Sequence, residues 1–450
     1  MDDSPSTPRW GAQTQKAIDN FPVSGDRIPS SLIEALAMIK SESANVNSAL
    51  GTVAAPIADA IRQAADEIVS GAMADQFPVD VFQTGSGTST NMNMNEVIAH
   101  RASEMLGEAV HPNDHVNASQ SSNDTFPSAA RIAAVMQLTA TLLPALESLR
   151  ASLVDLSSRH VDTVKMARTH LMDAVPMTFG QEVGGWARSV ELSIDRIKSM
   201  LQRLAELPLG GTAVGTGLNA PRGFATKVAQ RLSARTGLSF TEATNHFEAQ
   251  SSQDAMVEAG AMLKVVALSL HKIAGDLRLL GSGPNGGLGE ITLPALQAGS
   301  SIMPGKVNPV IPEAVQQVAA QVVGNDATIT FASTMSTLQL STAMPITARS
   351  LLSSIHLLAS AATLLDCRCI RGIEVDAQRM RRNAERSPAI VTALAPRIGY
   401  DAATRLVRQA EDQGISLAEL IEAQGDAPDS GSAVDALLAM TRLSETPPSG

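Results

Sequence analysis

The chain has 450 residues, long enough for more than one domain and a large core. Aromatic residues make up only 3% against 44% hydrophobic overall, so Ala, Leu, Ile, Val and Met must fill the interior, a palette that suits packed helices better than a β-sandwich. A formal net charge of −11 argues against a general nucleic-acid binder, which needs a basic face, but leaves room for a small anion held by a few local cations.

The sequence opens on Met1-Asp2-Asp3-Ser4-Pro5, acidic and without an apolar run, so no secretory signal is visible. Two polar, glycine-rich stretches follow, Gln83–Asn95 and His111–Pro127. Ser128–Arg159 then reads as a long helix with a kink or break at Pro144. From Gln181 to Leu207 the apolar residues Val183, Trp186, Val190, Ile194, Ile197, Leu201, Leu204 and Leu207 fall at helical spacing, with Arg188, Glu191, Asp195, Lys198 and Arg203 off the stripe. At about 1.5 Å per residue this helix would be roughly 40 Å long. Leu209–Gly223 is again polar. Asp254–Leu280 carries apolar residues round most of a helix, as expected for an element buried on several sides. Glu258, Lys264, Lys272 and Asp276 interrupt it, and no segment reads as membrane-spanning.

A last polar stretch, Gly281–Pro312, precedes helical patterns over Glu313–Thr330 and Thr347–Asp366. Cys367 and Cys369 are the only cysteines; too few for an iron–sulfur cluster and badly spaced for zinc, they fit reduced thiols in a cytoplasmic protein. Beyond Gly372 the patterns shorten, and Thr446–Gly450 reads as a frayed tail. Long helices bury themselves best against one another, so an all-α bundle is expected; a solenoid would need a fixed repeat, and none is apparent.

Four segments could carry chemistry. The first is Gly299-Ser300-Ser301-Ile302-Met303-Pro304-Gly305-Lys306-Val307-Asn308-Pro309, a loop fixed by glycine and proline that offers a cation, an amide and two hydroxyls. Read alone it is either a binding loop or a plain turn. The second, Arg168-Thr169-His170, presents a histidine whose ordinary pKa lies near neutrality, either a proton-transfer group or a structural one. Ser119–Asp124 and Thr84-Gly85-Ser86-Gly87-Thr88 are polar enough to cradle an anion, though such loops are common.

Taken in order, these pieces resemble the class II fumarases of the fumarase/aspartase superfamily. The likeness runs through Trp10–Gln15, Gly85–Thr88 with Asn91-Met92-Asn93, His111–Asp114, Gln120–Pro127, Arg168–His170, Gly210–Gly217 and, most specifically, Gly299–Pro309. It implies an all-α, three-domain fold with an N-terminal mostly helical domain over residues 1–120, a central long-helix bundle over 121–370 and a small helical domain over 371–450. It also implies a homotetramer in which each active site draws loops from three subunits. The implied reaction is the cofactor-free, metal-free, reversible hydration of fumarate to (S)-malate in the tricarboxylic acid cycle, with a dicarboxylate as the partner and no nucleic acid or membrane.

By position in the motifs, Ser300 is expected to be the base, His170 the acid-side residue acting through water, Glu313 its orienting carboxylate and Lys306 a stabilising cation. Ser86, Gly87, Thr88, Ser121, Ser122, Asn123, Thr169, Ser301, Lys306 and Asn308 would bind substrate. His111, Pro112, Asn113 and Asp114 match a second dicarboxylate site. Ser122 is the fumarase version of a position where aspartases usually carry Thr, so aspartate ammonia-lyase is the alternative. Three departures point instead to a catalytically weakened relative: Thr337–Ser341 where Phe-Glu-Leu-Asn is usual, the run Asn285-Gly286-Gly287, and a start close to Trp10.

Overall fold

The computed structural model describes residues 8–388 and 391–424; the tail Thr446–Gly450 lies outside them. The chain is mostly helical, with 65% of residues in helices. The helices in order are α1 Ala12–Asn20, α2 Ser30–Ala49, α3 Ala55–Val69, α4 Thr88–Leu106, α5 Ser122–Gln137, α6 Leu143–Arg159, α7 Phe179–Leu204, α8 Phe224–Thr236, α9 His246–Ser251, α10 Asp254–Leu280, α11 Val310–Ser333 and α12 Met344–Arg368. Four short ones follow: α13 Ala377–Arg386, α14 Val391–Ile398, α15 Tyr400–Gln413 and α16 Leu417–Gln424. The strands form two-stranded pairs. β1 Val164–Thr169 and β2 Met172–Thr178 make an antiparallel hairpin, β3 Glu206–Leu207 pairs parallel with β4 Thr241–Glu242, and β5 Ile291–Thr292 pairs antiparallel with β8 Glu374–Val375. β6 Ser336–Thr337 and β7 Leu340–Ser341 form a second small hairpin.

Local chemistry sets the helix limits. The helix expected to run to Leu207 stops at Leu204, and Glu206–Leu207 become β3, because Pro208 disfavours a helical residue before it. The segment expected to begin at Ser128 begins at Ser122, where Ser121 caps α5. Between α5 and α6 one π-turn spans Leu138–Leu142, and Leu143 N–H bonds to Leu138 O. Pro144 cannot donate to the carbonyl four residues back, and the widened turn just before it accommodates the ring. α10 keeps both expected ends.

Two compact units emerge, each discontinuous in sequence: residues 1–145, 193–268 and 317–360 form the first, and 146–192, 269–316 and 361–450 the second. α7, α10, α11 and α12 each have residues in both. In the first unit α2 is almost entirely buried, with Leu32, Ala35, Leu36 and Ile39 fully so. In the second, Val164 and Met166 of the hairpin pack in one apolar cluster with Ala384, Ala410, Leu417 and Leu420. Ser122–Arg159 and Met344–Gly372 are long and apolar enough to cross a membrane by length and composition, but 50% and 61% of their most apolar windows are buried within the chain, as in core helices.

Candidate active site

Two helix N-termini are tied together in the first unit. α4 begins behind Gly87, whose φ of 77° is left-handed; a Cβ there would lie 2.3 Å from Phe126 Cδ2, so only glycine lets α4 start this close to α5. Ser86 and Thr88 share a hydroxyl hydrogen bond of 2.7 Å. At α5, Ser121 N–H donates to the Asp124 carboxylate at 2.9 Å and the Ser121 hydroxyl accepts from Asn123 N–H at 3.2 Å, a reciprocal cap. Asn91 of α4 joins the two ends, donating its amide to Ser122 Oγ at 2.9 Å and Asn117 Oδ1 at 3.2 Å. Helix N-termini present unpaired N–H groups and the positive end of the helix dipole, so this junction suits a carboxylate.

Buried charge supports the cradle from below. Lys40 of α2 is fully buried and donates to Asn117 Oδ1 at 2.9 Å and Gln120 Oε1 at 3.0 Å. Burial pushes its amine down to about 7, against the pull of the Asp124 charge. Asp124 is also fully buried and accepts the N–H groups of Gly210 and Thr212, each at 2.9 Å, fastening α5 to the Gly210–Gly217 loop. Burial pushes its pKa up while these donors and Ser121 hold it down. Asn123 turns its amide to Ala213 O at 2.8 Å. Preceding α5, His111 Nδ1 accepts Asp114 N–H at 3.0 Å and lies 3.2 Å from Asp114 Oδ2, in a turn that continues through Pro112 and Asn113.

The second unit holds the remaining expected residues. Ser300 Oγ accepts the backbone N–H groups of Ile302 at 3.2 Å and Met303 at 3.1 Å. Gly299 N–H donates to Lys306 O at 2.8 Å and Asn308 Nδ2 to Gly299 O at 3.0 Å, so the two ends of the loop are latched together. Ser301 and Lys306 are exposed. His170 and Leu171 form the two-residue turn between β1 and β2 with φ of 57° and 62°. Primed hairpin turns need positive φ at both positions and usually take Asn or Gly; two ordinary side chains there cost about 1–3 kcal/mol each. The turn presents His170 to solvent beside Thr169, and its ring has no hydrogen-bond or ion-pair partner among the described residues. Glu313, in the first turn of α11, lies 4.0 Å from Arg278. Among the described residues of one chain, no hydrogen bond or ion pair joins His170 to Glu313 or to the Ser300 loop.

The base of the hairpin rests on a buried charge cluster that the sequence did not reveal. Glu290 is fully buried; its carboxylate accepts from Arg168 Nη2 at 2.6 Å and Asn383 Nδ2 at 3.1 Å, and Lys165 Nζ stands 3.4 Å away. Burial pushes Glu290 up, but the Arg168 bond, the Lys165 charge and the Asn383 bond outweigh it and hold the carboxyl below its ordinary range. Lys165 also meets Glu182 at 2.5 Å. Among the described residues, no group of three or more His, Cys, Asp or Glu side chains could hold a metal ion.

Comparison with known proteins agrees with the motif order. A lyase family model matches residues 3–324 and a fumarase C C-terminus model residues 390–443. A class II fumarate hydratase of Mycobacterium tuberculosis is 53% identical over 407 residues, covering 90% of this chain and 86% of that protein. One of Pseudomonas putida is 49% identical over 421 residues, 92% and 91% of the two chains. Among solved structures, the class II fumarase of Schistosoma mansoni superposes with a TM-score of 0.91 at 37% identity, covering 94% of this chain and 93% of that one. Family models spanning most of the sequence, relatives near half identity and a matching fold converge, and the chain belongs to the class II fumarate hydratase family of lyases.

Proposed function

We propose that the chain catalyses the reversible hydration of fumarate to (S)-malate, acting in the cytoplasm in the tricarboxylic acid cycle, with each active site assembled from three subunits of a homotetramer. The observation that carries the chemistry is the Ser300 hydroxyl, held as acceptor by two backbone N–H groups. A serine is a poor base unless its alkoxide is stabilised, and two aimed N–H donors with the Lys306 ammonium nearby in sequence are suited to that. In the dehydrating direction the Ser300 oxygen takes the C3 proton of malate. The electron pair of that C–H bond moves into the adjacent carboxylate, then forms the double bond as the C2 hydroxyl departs. His170, acting through water and oriented by Glu313, protonates the leaving hydroxyl, and hydration runs the same steps backwards.

Substrate carboxylates fall to the α4 and α5 N-termini, through Ser86, Gly87, Thr88, Ser121, Ser122 and Asn123, and to Thr169, Ser301, Lys306 and Asn308. His111–Asp114 forms a separate, non-catalytic dicarboxylate site. The single chain supports a shared site in a second way. Ile302 is 84% exposed, Leu171 72% and Met172 70%, so apolar side chains close in sequence to the proposed base and acid need cover. Further copies of the chain supply it.

The reaction is tested by following fumarate and malate interconversion in metal-free buffer with excess chelator. Undiminished turnover is expected. Ammonia release from aspartate without malate turnover would replace the hydratase by the ammonia-lyase reading.

A further inference from the structure

The second unit carries an open groove of about 720 Å³ that none of the proposed chemistry uses. Four arginines line it: Arg168 at the base of the β1–β2 hairpin, and Arg379, Arg382 and Arg386 on α13. The α13 positions are spaced by three and four, so the three guanidiniums with Asn383 form one stripe along the helix. The opposite side of the same helix shows the ordinary alternative, with Arg381 paired to Glu385 at 2.8 Å.

On the groove face charge neutralisation is sparse. Arg382 has no hydrogen-bond or ion-pair partner among the described residues, and the charge near Arg386 is that of Glu419. Asp173 is the one acidic residue in the lining among the described residues. Like charges three or four apart on a helix repel, so the stripe works against the stability of α13. Arg168 is paired with Glu290 and Arg379 is tied to backbone carbonyls, which leaves Arg382 and Arg386 to focus an anion into the groove against the sign of a chain with net charge −11.

The groove is also built rather than incidental. Arg379 Nη1 donates to Pro284 O at 2.7 Å and Gly289 O at 3.3 Å. A Cβ on Gly289 would fall 1.8 Å from that nitrogen, so the glycine makes room for the guanidinium. The unusual run Asn285-Gly286-Gly287 thus finds a place, since the segment from Pro284 to Gly289 forms the rim that seats Arg379 and Gly287 is part of the lining.

We propose that this groove is a binding site for a small metabolite carrying two or more linked phosphate groups. The volume exceeds what a four-carbon dicarboxylate would fill. Planar guanidinium forks match phosphate oxygens two at a time. Among the described residues the lining includes no aromatic platform for a base, which favours the phosphates themselves as the recognised element. An occupant would touch Arg168 and Leu171 on either side of His170, but the proposal concerns binding and stands whether or not His170 is the acid.

Calorimetric titration of the intact enzyme at fixed ionic strength tests it, with pyrophosphate as probe. Saturable binding of one pyrophosphate per chain is expected, unaffected by saturating malate and weakened about 100-fold in the Arg382→Gln/Arg386→Gln variant, since charge-assisted bonds carry about 1.5–3 kcal/mol each. Both side chains are exposed, so the variant should keep the wild-type unfolding midpoint. Orthophosphate should bind at least about tenfold more weakly, having half the charge-assisted contacts. The proposal is overturned by absence of saturable binding, by displacement with malate while the double variant still binds, or by citrate binding as tightly as pyrophosphate.

Discussion

Replacing Ser300 with alanine should lower kcat about a thousandfold, within the 10²–10⁴ range for losing a positioned proton-transfer group, while the folded chain keeps its stability. The loop does not depend on the hydroxyl for its shape, because Gly299 N–H to Lys306 O and Asn308 Nδ2 to Gly299 O hold its ends. What disappears is the oxygen on which the Ile302 and Met303 N–H groups converge. KM for malate should change little, since those two donors are aimed at the base rather than at a substrate carboxylate. Steady-state kinetics on purified enzyme reads both constants. A variant within about tenfold of wild type would remove Ser300 from the role of base.

The second large effect is on stability. Glu290→Ala should destabilise the second unit by about 3–5 kcal/mol, because it strips the buried Lys165 of one of its two carboxylates and leaves the partly buried Arg168 guanidinium without its own. Arg168 is two residues before the strained His170 turn, so the hairpin should loosen and turnover should fall with the unfolding midpoint. The pH dependence has a defined sign. Glu290 is held below its ordinary value in the folded chain, so its contribution is present above the unfolded carboxylate range and is lost as pH falls through the folded value. Acid should therefore weaken wild type more than the alanine variant. Urea unfolding at neutral and acid pH measures it, and equal pH profiles would show that the cluster does not act this way.

These effects fall on residues of different legibility. Ser300 sits in a motif whose spacing is specific, and α10 was readable end to end because its apolar pattern starts at Asp254 and runs unbroken by proline. Glu290 was not readable: it lies at the end of a glycine-rich run, and its partners come from residues 165, 168 and 383. The hairpin escaped for a different reason. Hairpin turns are recognised by Asn-Gly or Gly at their centre, and here His170-Leu171 takes the left-handed conformation without either. Lys40 was hidden by burial, since its partners Asn117 and Gln120 come from a distant loop and meet it only through folding. α5 began six residues earlier than its apolar pattern because a polar cap, Ser121 with Asp124, sets the start. Periodicity locates helices; it does not locate the polar bonds that join them.

The central claim is that base and acid in one active site come from different chains. Mixing separately inactive Ser300→Ala and His170→Asn subunits, unfolded together and refolded in equal amounts, tests it directly. Independent draws from two kinds of subunit should restore about a quarter of wild-type activity, because half the sites receive an intact Ser300 and half of those an intact His170. Mixed assemblies that stay as inactive as either parent would mean both residues serve from one chain, and would contradict the shared site.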